Sequence, residues 1–273
     1  MKKQLTKEQH YVPQFYLKGF SEDGIHIYQY DIKKDKVHKT LIKNTCKESY
    51  LYEYKNELGK VISNNEIEDL FGKIESQVSN LIQDISCRSP LTKRGFLKDD
   101  ELFLLYLYLY IQLMRTSRNM YLATTIVNSG EHEFQKKNLV LNRFFQNIDN
   151  LTNPLLLRTL ELFWELKPVI IRTTFDCFYT TDNPVFISDK YVKKDINKFD
   201  LIKFTLTSNM ALVLTEQKGK GIKNRLFVYD SAHPNIDCVN IDVFQTSDRY
   251  VYSKEPFSEY QIEQIKKHHC KNN

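Results

Sequence analysis

The first residues able to do chemistry stand close to the start of the chain, in the run His10-Tyr11-Val12-Pro13-Gln14-Phe15-Tyr16-Leu17-Lys18-Gly19-Phe20. An imidazole is the side chain best suited to proton transfer near neutral pH. Pro13 fixes its own φ and holds Val12 extended, so His10 enters on a stiff segment before Phe15, Tyr16, Leu17 and Phe20 pack. Gly19 is expected to supply a positive φ where the run ends. Such an arm is a rigid mount for a catalytic base. It would serve equally if His10 only bonded a carbonyl and closed the packing of the arm.

Carboxylates and arginines follow. Glu68 and Glu75 are seven residues apart on an expected helix, nearly in line on its Phe71 side and about 10 Å apart along the axis. At that separation they need another element to share one ion. Arg115 and Arg118, three apart, are expected on one face at the end of an apolar helix, where cations complement the helix dipole. A cation leaving a core helix is costly unless paired, and its partner would be Glu68, Glu75 or an anionic ligand. Thr180-Thr181-Asp182-Asn183-Pro184 ends an expected strand, where Asp and Asn either make local turns or face a pocket. His268-His269-Cys270 has the residue types of a metal cluster, but adjacent residues on a helix point apart.

The elements that must position these groups read as α+β. Ile25–Asp31 and Lys36–Ile42 alternate as two strands around the polar turn Lys33-Lys34-Asp35. Ser49–Tyr54 is a short strand or an irregular aromatic stretch. Ser63-Asn64-Asn65 offers a helix start, and apolar positions from Ile67 to Ile85 recur at helical spacing up to Ser89-Pro90. A second helix is expected from Lys98 into the 120s, buried through Leu102–Met114, with further helices over Glu131–Asn147 and Leu155–Leu166. Composition shifts at Pro168, the one candidate subdomain boundary. Strands are expected over Val169–Thr174, Phe178–Thr180, Leu201–Leu206, Ala211–Thr215 and Arg225–Tyr229, with Gln217–Gly221 as punctuation. A helix after His233-Pro234 and another from Ser258 complete the chain. The expectation is a single α+β domain over residues 1–273: an N-terminal hairpin, a central helical bundle, and a C-terminal antiparallel or mixed sheet with flanking helices.

Composition narrows the function classes. Seventeen Tyr and seventeen Phe promise an aromatic core, and only eight Gly argue against glycine-rich phosphate loops. A net charge of +5 with scattered basic residues does not make the footprint of a duplex-DNA binder, although a nucleotide or nucleic-acid partner is compatible with it. Five widely spaced cysteines lack metal-knuckle spacing and read as reduced thiols of a cytoplasmic protein. Met1–Glu8 has no apolar signal core, and Leu102–Met114 is too short to span a bilayer and carries three Tyr and a Gln. No membrane partner is expected.

Taken together, several stretches resemble a mainly bacterial family, domain of unknown function 4238. The resemblance rests on His-Tyr-Val-Pro-Gln-Phe-Tyr-Leu at 10–17, Ile67-Glu68 with Ile74-Glu75, Arg115-Thr116, Thr181-Asp182-Asn183-Pro184-Val185, Asn240, and Arg249-Tyr250-Val251-Tyr252-Ser253. Where the family often has a Pro-Leu-Ser-Pro-like strand end, this chain has Thr205-Leu206-Thr207-Ser208. The resemblance carries over His10, Glu68, Glu75, Arg115, Asp182 and Asn183 as motif positions and implies no activity. Two readings of the parts remain. In a hydrolase, by metal-assisted or acid–base phosphoester (nuclease-like) chemistry, His10 is base or ligand, and Glu68, Glu75 and Asp182 hold a divalent ion or a water. Arg115 steadies the phosphate there, and Arg118, Asn183 and Asn240 are further binding candidates. In a non-enzymatic binding or sensing module, the same set is a structural polar network.

Overall fold

A computed structural model of the 273-residue chain describes residues 5–62, 65–88, 97–127, 132–188, 200–215, 225–229 and 234–269. Gln217–Gly221 lies outside them, as do Ser63, Asn64, Ser89, Pro90 and Cys270. The chain runs β1 (Glu8–His10), α1 (Gln14–Lys18), β2 (His26–Asp31), β3 (Lys36–Leu41), β4 (Lys47–Ser49), α2 (Glu66–Cys87), α3 (Asp99–Arg115) and α4 (Ser117–Ile126). It continues with α5 (Glu133–Phe145), α6 (Pro154–Trp164), β5 (Lys167–Thr173), β6 (Thr180–Thr181), β7 (Val185–Ile187), β8 (Asp200–Thr207), β9 (Met210–Thr215) and β10 (Arg225–Tyr229). Helix α7 (Pro234–Thr246), β11 (Tyr250–Ser253) and α8 (Glu259–His269) follow. This is the expected α+β architecture. Among the described residues no helix is long and apolar enough to cross a membrane.

The β2–β3 hairpin forms as its alternation requires, with Asp31 accepting the Lys33 and Lys34 amides across the turn. It does not stand alone. The C-terminal strand β11 pairs with β2 and then with β6, so the four-stranded antiparallel sheet β3-β2-β11-β6 joins both ends of the sequence. A five-stranded sheet, β10-β5-β9-β8-β7, is mixed: β5 and β10 run parallel and its other pairs antiparallel. A two-stranded ladder, β1-β4, sets Glu8 opposite Ser49 and His10 opposite Lys47. The Ser49–Tyr54 stretch is therefore strand only at its first residue.

Helix α2 buries its stripe Ile67, Phe71, Ile74, Val78, Leu81, Ile82 and Ile85, and Arg172 from β5 donates to the Ile85 carbonyl at its C-terminal end. Helix α3 is buried nearly all round from Leu105 to Gln112. The single helix expected from Lys98 into the 120s is two. Thr116 turns extended (φ −66°, ψ 146°), its hydroxyl accepts the Asn119 amide, and the Asn119 side chain donates to the Leu113 carbonyl that a continuing helix would have used.

Gly19 also departs from expectation. Its φ is −64°, so it supplies no left-handed turn. A Cβ there would lie 3.1 Å from the Tyr16 carbonyl oxygen and 3.2 Å from Thr207 Cγ2, and its own carbonyl accepts the Ser208 amide. The glycine permits close approach between α1 and the end of β8. Tyr16 reinforces that seam, donating to the Thr205 carbonyl at 2.6 Å while its ring stacks on Phe204. The Thr205–Ser208 strand end is thus where the N-terminal arm docks.

Candidate functional site

Three elements converge where β1 ends. His10 closes β1, Glu68 and Glu75 lie in the first and third turns of α2, and Arg115 is the last residue of α3. Arg115 is 1% exposed, which demands that its charge be answered inside the protein. Its Nη1 donates to Glu75 Oε1 at 2.5 Å, its Nη2 to the His10 carbonyl oxygen at 2.5 Å, and its Nε to Tyr52 Oη at 3.3 Å. Tyr52 Oη in turn donates to the Arg115 carbonyl at 3.0 Å. The guanidinium carbon sits 4.4 Å from the Phe71 ring centroid and 5.6 Å from that of Tyr52. The arginine's partner is therefore Glu75.

His10 and Glu68 flank this pair with chemistry left over. The half-buried His10 ring hydrogen-bonds the Lys43 backbone, while its Nε2 is buried and has no partner. That bond selects the tautomer with the proton on Nδ1 and a lone pair on Nε2. Burial above all holds its pKa below the ordinary value, with Lys47 and Arg115 adding to the effect and Glu75 opposing it. Burial also pushes the Glu68 carboxyl up to about 7 against the pull of Arg115, and Glu75, Glu53 and Asp69 raise it further. Glu68 Oε2 is buried without a partner. An imidazole that stays neutral and a carboxyl that titrates near 7 thus share one ion pair as their electrostatic neighbour. Acid–base assignments arise from such divergence of environments.

The other candidates lie elsewhere. Asp182, 5% exposed, accepts the amides of Asp248 (2.9 Å), Arg249 (2.9 Å) and Tyr250 (3.1 Å), so it anchors the approach to β11. Burial and the charge of Asp248 push its carboxyl up to about 7 against those three amides. Asn183 gives its amide N–H to Thr181 Oγ1 and leaves Oδ1 buried without a partner. Asn240 on α7 accepts the Tyr179 amide and donates to the Cys177 carbonyl, which braces the approach to β6. Arg118 falls on α4, beyond the break, and meets Asp248 at 3.3 Å near the surface, so it shares no face with Arg115. Glu68, Glu75 and Asp182 do not form a shared ligand set for a divalent ion, because Glu75 is committed to Arg115 and Asp182 to backbone amides. Among the described residues no group of three or more His, Cys, Asp or Glu side chains could hold a metal ion.

Two residues join the site that the motif reading passed over. Tyr108 and Gln112 lie seven and three residues before Arg115, on the same face of α3. Both are fully buried; Tyr108 Oη and both amide atoms of Gln112 have no hydrogen-bond partner. Glu75 and Arg115 act electrostatically on the Tyr108 phenol, which ties this column to the ion pair. Polar side chains at i, i+4 and i+7 in an otherwise apolar run were the available signal.

Residues 8–257 match the family described as protein of unknown function, DUF4238. No curated protein and no solved structure matches the chain.

Proposed function

From the premise that the chain belongs to the DUF4238 family of proteins of unknown function, we propose that it is a hydrolase working by general acid–base chemistry, with His10 as base and Glu68 as acid. The observations that carry this reading are a buried, unpartnered His10 Nε2 and a Glu68 carboxyl pushed up to about 7, each with Arg115 and Glu75 as electrostatic neighbours. His10 Nε2 takes a proton from water as its oxygen attacks the ester centre. The Glu68 carboxyl protonates the departing oxygen. Arg115 and Glu75 act as positioning residues, since Arg115 holds the peptide that carries His10. The donor set favours the acid–base branch over the metal-assisted one, and phosphoesters are the first substrate class to test. The free thiols support a reducing, cytoplasmic setting. The sheet shared by β2, β3 and β11 supports reading residues 1–273 as one domain.

The test is turnover of phosphomonoester, phosphodiester and carboxylic ester chromogens by the wild type, His10→Ala and Glu68→Gln. The reading expects activity on one class, lost in His10→Ala at unchanged melting temperature. A second reading, the non-enzymatic module, draws on the internal partners of Arg115 and Asp182. It expects no turnover and a marked fall in melting temperature in His10→Ala and in Glu68→Ala.

A further inference from the structure

Away from this site, a cavity of about 670 Å³ lies between the segment after β4 and helices α4 and α5. Tyr121, Met120 and Phe134 give it an apolar and aromatic wall, and Lys55 and Lys137 bring two cations to it. Glu48 and Glu133 also line it, but Glu48 is occupied by the Ser117 hydroxyl. Lys137 is held in place: its Nζ donates to the Tyr50 carbonyl at 2.8 Å, and next to it Asn138 clamps both the amide and the carbonyl of Lys55. An ammonium on a cavity wall that gives one proton to a fixed carbonyl is oriented, unlike a solvated surface lysine.

We propose that Lys137 is a carbonyl-reactive amine in this cavity, taking an aldehyde or ketone that carries an anionic group met by Lys55. The neutral Nζ adds its lone pair to the carbonyl carbon, and the resulting carbinolamine loses water to leave an imine. The Tyr50 hydrogen bond uses one N–H and leaves the lone pair for attack. Burial first and the Lys55 charge second bring the Lys137 pKa down to about 8, while Glu48 and Glu53 pull the other way. The aromatic wall would receive a planar body. The proposal is independent of His10 and Glu68.

The experiment treats the full chain at pH 8 with pyridoxal 5′-phosphate, or with pyridoxal lacking the phosphate, and traps imines with cyanoborohydride before peptide mapping. Lys137 is expected to label about a hundredfold faster than the exposed lysines, because roughly half of it is neutral at pH 8 when an ordinary lysine is almost wholly charged. It should prefer the phosphate-bearing aldehyde, and Lys55→Met should erase that preference. Lys137→Arg should remove this label alone. Labelling of Lys137 no faster than the exposed lysines would overturn the proposal. Equal rates with the two aldehydes would overturn the anionic ligand class. The wild-type comparison of the two reagents decides both points even if a variant folds poorly.

Discussion

Arg115 reaches His10 through the backbone: its Nη2 lies 2.5 Å from the His10 carbonyl oxygen, while its Nη1 meets Glu75. The peptide that bears the proposed base is thus fixed by a charge from a different helix, and the imidazole itself is left for other work. Removing either member of the Arg115–Glu75 pair strands a charge in a site built for two. Arg115→Ala and Glu75→Ala should each cost about 3–5 kcal/mol. Urea unfolding measures this. A loss below 1 kcal/mol in both would mean that the pair holds nothing together.

Glu68 predicts a pH-dependent stability with a definite sign. Its folded pKa is raised, from 4.5 to about 7, so folding favours the protonated form. Its effect is neutral to folding below pH 4.5, becomes a growing penalty as pH rises from 4.5 to about 7, and levels off above that. The penalty at pH 8 is about 2–3 kcal/mol, allowing for its solvent-facing side. Glu68→Gln should therefore gain stability relative to wild type between pH 5 and pH 8, by roughly that amount. Parallel unfolding curves across this range would show that the carboxyl is not held in its protonated form.

Gln112 offers a separate probe of recognition. Its amide is fully buried and unpartnered, so Gln112→Leu should change stability by less than about 1 kcal/mol or raise it. The same substitution should raise KM if the amide meets a polar group of the substrate. A large loss of stability without any kinetic effect would make Gln112 a packing residue.

Asp182 should behave differently. Three amides converge on it, and Asp182→Ala removes their shared acceptor. The expected cost is about 3 kcal/mol or more, read by thermal unfolding, with His10-dependent turnover retained in the folded fraction. Loss of turnover at unchanged stability would assign Asp182 to the chemistry.

Local pattern carried much of this fold. The β2–β3 hairpin follows from alternation around Lys33-Lys34-Asp35, and α2 from the spacing of Ile67, Phe71, Ile74 and Val78. The break at Thr116 was hidden because no glycine or proline marks it; it depends on two hydrogen bonds of Asn119. The pairing of β11 with β2 joins residues more than two hundred apart, which no local window reads. Within the site, Glu68 and Glu75 share one helix face, so their spacing offered Arg115 both partners and chose neither. The packing of α2 on α3 made the choice. Asp182 resembled a pocket residue because its three donors come from Asp248, Arg249 and Tyr250, far along the chain. Gln112 stood in plain view as a polar residue in an apolar run, yet its lack of partners is a property of packing alone.

The most direct measurement is the pH–rate profile of wild type and Glu68→Gln on whichever ester is turned over. Turnover needs His10 neutral, which fails below its lowered pKa, and Glu68 protonated, which fails above about 7. The account predicts a bell in the wild type, with an alkaline limb near 7 that disappears in Glu68→Gln along with most of the rate. An alkaline limb that persists unchanged in Glu68→Gln at full rate would contradict the assignment of Glu68 as the acid.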